Sequence, residues 1–211
     1  MKKRINAFGL LIGFTIAGCA TSPAPTTSVV EAPRNQSTVQ ILEEIGFTII
    51  EDEKVGIDVQ LEYDAALRDL EQGRHEEGVA ALERIAATSP NLTAPLIDLG
   101  IAYHSSGDLE KAEAYLQQAV ALNPEHPSAH NELGIIYRKT GRFAEARQSY
   151  QAALAVYPGY HHARRNLAIL CDLYLADLSC ALENYEAYMQ TVPEDKEAEM
   201  WIADLRGRLG R

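Results

Sequence analysis

The sequence is poor in cysteine, tryptophan and basic residues. Three cysteines and one tryptophan occur in 211 residues, and 19 Lys and Arg stand against 30 Asp and Glu, a formal charge of −11. Nucleic-acid affinity comes mainly from neutralising phosphates with Lys and Arg, so this balance argues against a nucleic-acid partner. No pair of cysteines has the C-x-x-C spacing of a redox or zinc motif. No apolar run reaches the roughly 20 residues that a membrane-spanning helix needs. There is no H-E-x-x-H, no phosphate-cradling glycine loop and no G-x-S-x-G. We therefore expect no enzyme, no cofactor and no metal, in a chain long enough for one ordinary domain with flanking segments.

What is present begins with an address. Lys2, Lys3 and Arg4 form a cationic n-region, Ala7 to Ala17 an apolar stretch, and Gly18 a small residue before Cys19. The run Ile16-Ala17-Gly18-Cys19 resembles the bacterial lipobox. That resemblance implies cleavage of residues 1–18 and acylation of Cys19, and two or more acyl chains hold a protein stably on a membrane. Removing residues 1–18 leaves 16 basic residues against 30 acidic ones. Ala20 follows Cys19, and its resemblance to outer-membrane-sorted lipoproteins implies an anchor facing the periplasm. Residues 19–38 hold Pro23, Pro25 and Pro33 among Ser and Thr, a composition that buries no core and reads as a tether. An envelope location permits disulfides, and Cys171 and Cys180 are the candidate pair.

Beyond the tether the sequence repeats. Gly73, Gly107 and Gly141 are 34 apart, as are Gly78, Ala112 and Ala146, and Pro90, Pro124 and Pro158. The copy with most matches holds Leu96, Leu99, Gly100, Tyr103, Ala112, Leu116, Ala119 and Pro124. The next has His130, Leu133, Gly134, Tyr137, Ala146, Tyr150, Ala153 and Pro158. A divergent first copy runs from Ala66 to Pro90 with Asp69 where Tyr is expected. A fourth holds Leu167, Ala168, Ala181, Tyr185 and Pro193, with one extra residue between Leu170 and Ala181. These columns resemble the tetratricopeptide repeat (TPR), a helix-turn-helix unit of about 34 residues.

The resemblance implies an all-α solenoid of about four repeats over 59–193 (59–92, 93–126, 127–160, 161–193). Glycines 73, 107 and 141 would end each first helix in the left-handed conformation. Asp108 and Asp177 would cap second helices, and the prolines would stop them. A capping helix is expected over 194–211, with Ala198, Trp201, Ile202 and Leu205 inward. Residues 39–58 form an N-terminal extension. Ile41, Leu42 and Ile45 have helical spacing, and Val55, Ile57 and Val59 alternate as in a strand, so a helix and then an extended stretch against the first repeat are expected.

Within each repeat, positions 4, 8 and 11 build the core, and positions 5, 9 and 12 form a stripe rotated by about 100°. In TPR proteins that stripe lines the concave surface. Position 9 gives Ile101, Ile135 and Ile169; position 5 gives Ile97, Asn131 and Arg165; position 12 gives His104 and Arg138. Lys139, Arg142, Arg147, His162 and Arg164 lie nearby, so residues 138–165 hold six Lys and Arg and one acid, Glu145. The expectation is an apolar floor with basic walls, suited to an acidic peptide segment or a C-terminal carboxylate, or else ordinary solvated faces. Adjacent His161 and His162 point about 100° apart and cannot chelate as an i, i+4 pair would.

The resemblance thus implies an adaptor that binds other envelope proteins and attaches to the membrane by its lipid. Similar builds include pilotins, lipoproteins that organise cell-wall hydrolases, and small TPR proteins of energy-transducing systems. The alternative is a supporting component of an envelope enzyme or polysaccharide-handling system.

Overall fold

The computed structural model describes residues 37–42, 46–51 and 55–210, with side chains from 55 to 210. The signal segment, Cys19 and the tether up to residue 36 lie outside the described residues. Two strands, β1 (Ser37–Leu42) and β2 (Gly46–Glu51), form an antiparallel hairpin. Nine helices follow among the described residues: α1 (Ile57–Glu71), α2 (His75–Thr88), α3 (Thr93–Ser106), α4 (Leu109–Leu122), α5 (Pro127–Lys139), α6 (Phe143–Val156), α7 (His161–Leu173), α8 (Leu178–Thr191) and α9 (Lys196–Leu209). None is long and apolar enough to cross a membrane.

The hairpin corrects the helix expected near residue 41. Val39 lies opposite Ile49 and Ile41 opposite Phe47. Val39 and Ile41 alternate at period two within a segment rich in β-branched residues, which favours a pleated strand over a helix. Three apolar residues at helical spacing were too few to outweigh that alternation. The second correction concerns Val55, Ile57 and Val59, expected to be extended. Ile57 opens α1, and Val55, Ile57 and Leu61 are exposed. The first repeat therefore starts two residues before position 59.

The helices pair as four antiparallel hairpins, and each second helix packs against the first helix of the next pair. The turn chemistry follows the sequence. Gly73, Gly107 and Gly141 adopt φ of 78°, 87° and 78°. After each, the next residue's N–H reaches back five residues: Arg74 to Asp69, Asp108 to Tyr103, and Arg142 to Tyr137. These bonds satisfy carbonyls left open by the helix end. Asp108 accepts from the Lys111 N–H at 3.1 Å, and Asp177 accepts from the Cys180 N–H at 3.1 Å. The residues before Pro90, Pro124, Pro158 and Pro193 all sit near φ −131°, outside the helical region, as a following proline favours. The fourth turn carries the extra residue, and there Ala176 takes the left-handed conformation at φ 53°.

Small residues set the distance between paired helices. A Cβ on Gly100 would fall 2.4 Å from Leu116 Cγ, and one on Gly78 would fall 2.7 Å from Leu70 Cγ. Leu82, Ile85, Leu99, Leu116, Tyr150 and Leu170 are fully buried between the layers. In α9, Ala198, Ile202 and Leu205 are buried, and Trp201 packs on Tyr185 with ring centroids 5.2 Å apart. Asp195 caps α9 by accepting from the Glu197 and Ala198 N–H groups.

Candidate partner-binding groove

The odd-numbered helices form one layer: α3 touches α5, and α5 touches α7, in addition to their contacts with the even helices. Side chains of positions 9 and 12 lie on the outer side of this layer, whereas two of the three at position 5 turn inward. Ile101 is 39% exposed, and Ile135 and Ile169 are partly buried against the core beneath them. These three form the expected apolar track. Ile97, assigned to the same stripe, is instead only 6% exposed and belongs to the core.

Asn131 also lies inward, at 2% exposure. Its amide nitrogen donates to Glu132 Oε1 at 2.9 Å, and its carbonyl oxygen accepts from Asn166 Nδ2 at 2.9 Å. It is a link between α5 and α7 and has little left to offer a ligand. Arg165 stacks over Trp201 at 5.3 Å and lies 3.7 Å from Glu197, both on the capping helix.

The expected basic wall is narrower than its sequence suggests. Arg142 is paired with Glu113, and Arg147 lies 3.3 Å from Asp177. Arg164 donates to the Pro158 carbonyl and to Asn184 Oδ1. His162 is exposed beside Tyr160. Arg138 remains on the stripe. It is partly buried, its guanidinium lies 5.8 Å from the Tyr174 ring centroid, and its Nη1 approaches the Tyr174 hydroxyl at 3.5 Å. No carboxylate among the described residues forms an ion pair with it. His104 stands close by: burial first, then the charges of Lys139 and Arg138, lowers its pKa. Histidine is thereby kept neutral next to two cations.

A column of carboxylates also belongs to this layer, and the stripe of positions 5, 9 and 12 missed it. Position 6 reads Asp64, Asp98, Glu132 and Asn166 at intervals of 34, polar in every copy, which is the signal that could have found it. Asp98 accepts from the Tyr63 hydroxyl at 2.5 Å. Burial raises the pKa of Asp98, with the Tyr63 hydrogen bond opposing, and burial likewise raises that of Glu132, with the Asn131 amide opposing. The layer thus carries the isoleucine track, the basic group of His104, Arg138 and Lys139, and the half-buried carboxylates Asp98 and Glu132.

Away from the groove, Cys171 on α7 and Cys180 on α8 are joined by a disulfide, with Cα atoms 5.9 Å apart. With Asp177 they are also the one group of metal-ligand type gathered among the described residues, but the two sulfurs are bonded to each other.

A tetratricopeptide-repeat model matches residues 97–161, which are most of the two copies with the clearest columns. No curated protein matches the chain. Among solved structures, MamA from Desulfovibrio magneticus aligns with a TM-score of 0.64 and 23% identity, covering 74% of this chain and 88% of that one. A thermophilic TPR protein from Thermus thermophilus aligns at 0.60 and 24%, covering 71% and 81%. A tetratricopeptide repeat protein from Parabacteroides merdae aligns at 0.61 and 21%, covering 73% and 60%. With its helix order, turn glycines and interhelical small residues, this chain folds as an all-α tetratricopeptide-repeat solenoid.

Proposed function

We propose that the protein is a lipid-anchored adaptor that holds segments of other envelope proteins in its concave groove, and is not itself an enzyme. The observation that carries the reading is the track of exposed Ile101 and partly buried Ile135 and Ile169 on the same layer as Arg138, a cation without a carboxylate partner among the described residues. The Tyr150 and Tyr174 hydroxyls hold Arg138 charged against its desolvation, and a carboxylate would give it a charged acceptor, a stronger hydrogen bond than these neutral ones. An acidic side chain or terminal carboxylate on a partner supplies that acceptor.

The spacing favours an extended partner segment. Packed helices lie about 8–10 Å apart, and three residues of polyproline II advance about 9 Å with side chains on one face. An apolar residue at every third position would then meet successive isoleucines. Arg165, already over Trp201 and beside Glu197, contributes at the rim.

The anchor is the second part of the proposal. The lipobox-like run ending at Cys19, the Pro/Ser/Thr-rich tether and Ala20 together support attachment to the outer membrane, facing the periplasm. Intact mass of the mature protein tests this: acyl mass on Cys19 is expected, and an unmodified Cys19 would refute it. For the groove, the test is co-purification from gently solubilised membranes with wild type and with Ile101→Asp/Ile169→Asp. Partners should be lost from the variant at unchanged helical content; equal recovery would place binding elsewhere.

A further inference from the structure

The inner layer carries a series of side-chain links, each joining position 5 of one repeat to position 6 of the next. The Tyr63 hydroxyl donates to Asp98 across 35 residues, and in the other direction Asn166 Nδ2 donates to Asn131 Oδ1 across 35. The equivalent pair between them is Ile97 and Glu132. Isoleucine has no donor. Glu132 therefore lacks the cross-repeat hydrogen bond that Asp98, the carboxylate at the same position one repeat earlier, receives from Tyr63. Among the described residues, its donor is the neighbouring Asn131 amide, a single neutral N–H for a carboxylate with about four lone-pair sites.

The surroundings deepen the deficit. Glu132 is mostly removed from water, and burial raises its pKa. Residues 55–137 carry 14 Asp and Glu against 4 Lys and Arg, whereas residues 138–210 carry 10 against 9. Glu132 lies at the end of the acidic half, on the same helix as Arg138 and six residues before it. A desolvated carboxylate in an acidic field gains most from a charged donor, since hydrogen bonds between ionised groups are roughly twice as strong as neutral ones.

We propose that Glu132 is the specificity-determining residue of the groove, receiving a Lys or Arg side chain of the bound partner segment. This rests on the groove reading above and adds the chemistry of one ligand position. A partner held this way carries a basic residue toward Glu132 and an acidic group toward Arg138, so its register along the isoleucine track is fixed at two points.

A phage library of random dodecapeptides selected on the purified protein tests the inference. Wild type should enrich Lys or Arg at one fixed offset from the apolar residues. Glu132→Gln preserves shape and hydrogen bonding but removes the charge. It should return that position to library frequency and weaken the best wild-type peptide by about tenfold or more. Ile97→Tyr, which builds the donor found at Tyr63, should have the same effect by occupying the carboxylate. If both variants select the same basic position as wild type, Glu132 is not the recognition point, though the groove stands. If wild type enriches no peptide over an Ile135→Asp control, the groove reading fails and this inference with it.

Discussion

A Cβ on Gly134 would lie 2.6 Å from Cε1 of Tyr150, a ring with no exposed surface. The contact joins α5 to α6 and leaves the ring nowhere to move. Gly134→Ala should therefore destabilise the protein by about 1–3 kcal/mol through overpacking, despite the better helix propensity of alanine. Gly207, on the capping helix with open space around it, supplies the contrast. Gly207→Ala should stabilise by about 0.5–1 kcal/mol. Urea denaturation of the two variants separates packing from propensity, and equal shifts in one direction would contradict the assignment.

A histidine caps α5. The Ala129 N–H donates to Nδ1 of His126, which must then be unprotonated. Burial, and secondarily His130, holds the pKa of His126 at about 4. The unfolded chain titrates near 6.5, so between these values the unfolded state binds the extra proton. This contribution to stability is complete above pH 6.5 and falls as pH drops toward 4, by about 2 kcal/mol at pH 5. His126→Asn retains a capping side chain without the titration. Melting temperatures of the variant and wild type should diverge below pH 6.5 in the variant's favour, and parallel curves would refute the role.

Ala176 holds the left-handed conformation that glycine takes in the other three turns. Left-handed backbone costs a residue with a Cβ about 1–2 kcal/mol, and glycine recovers most of this against its greater unfolded-state entropy. Ala176→Gly should raise stability by about 1 kcal/mol. A loss of stability on thermal unfolding would show that the longer fourth turn is held by something other than this conformation.

The same turn lies within the loop closed by Cys171 and Cys180. Such a short loop contributes about 2–3 kcal/mol in the chain-entropy model. Reducing agent should lower the melting temperature of the wild type and leave a Cys171→Ala/Cys180→Ala variant unchanged. Two reactive thiols in the unreduced, denatured protein would contradict the bond.

The repeat was legible because its requirements are local and recur. Left-handed glycines, prolines past helix ends and small residues where helices meet each announce themselves at a spacing of 34. The upstream hairpin was less legible, since Ile41, Leu42 and Ile45 fit a helix as readily as Val39 and Ile41 fit a strand. Of the groove, the isoleucine track was visible but the electrostatics were not. Sequence spacing places Arg142, Arg147 and Arg164 near one another, yet each is engaged by a residue 20 or more positions away: Glu113, Asp177 and Asn184. Position 5 was read as surface, whereas Ile97 and Asn131 face the neighbouring repeat. A one-residue shift in the column, from 5 to 6, separates the reading from the carboxylates Asp98 and Glu132.

The layer of α3, α5 and α7 is the proposed partner-binding face. A photo-crosslinking residue at position 135, on the isoleucine track, and another in place of exposed Gln118 on α4 test it in living cells. Illumination should give discrete, higher-mass adducts from position 135 and none from position 118, with the position 135 adducts abolished by Arg138→Ala/Ile169→Asp. Adducts from position 118 with none from position 135 would contradict the account and move the binding surface to the opposite face of the solenoid.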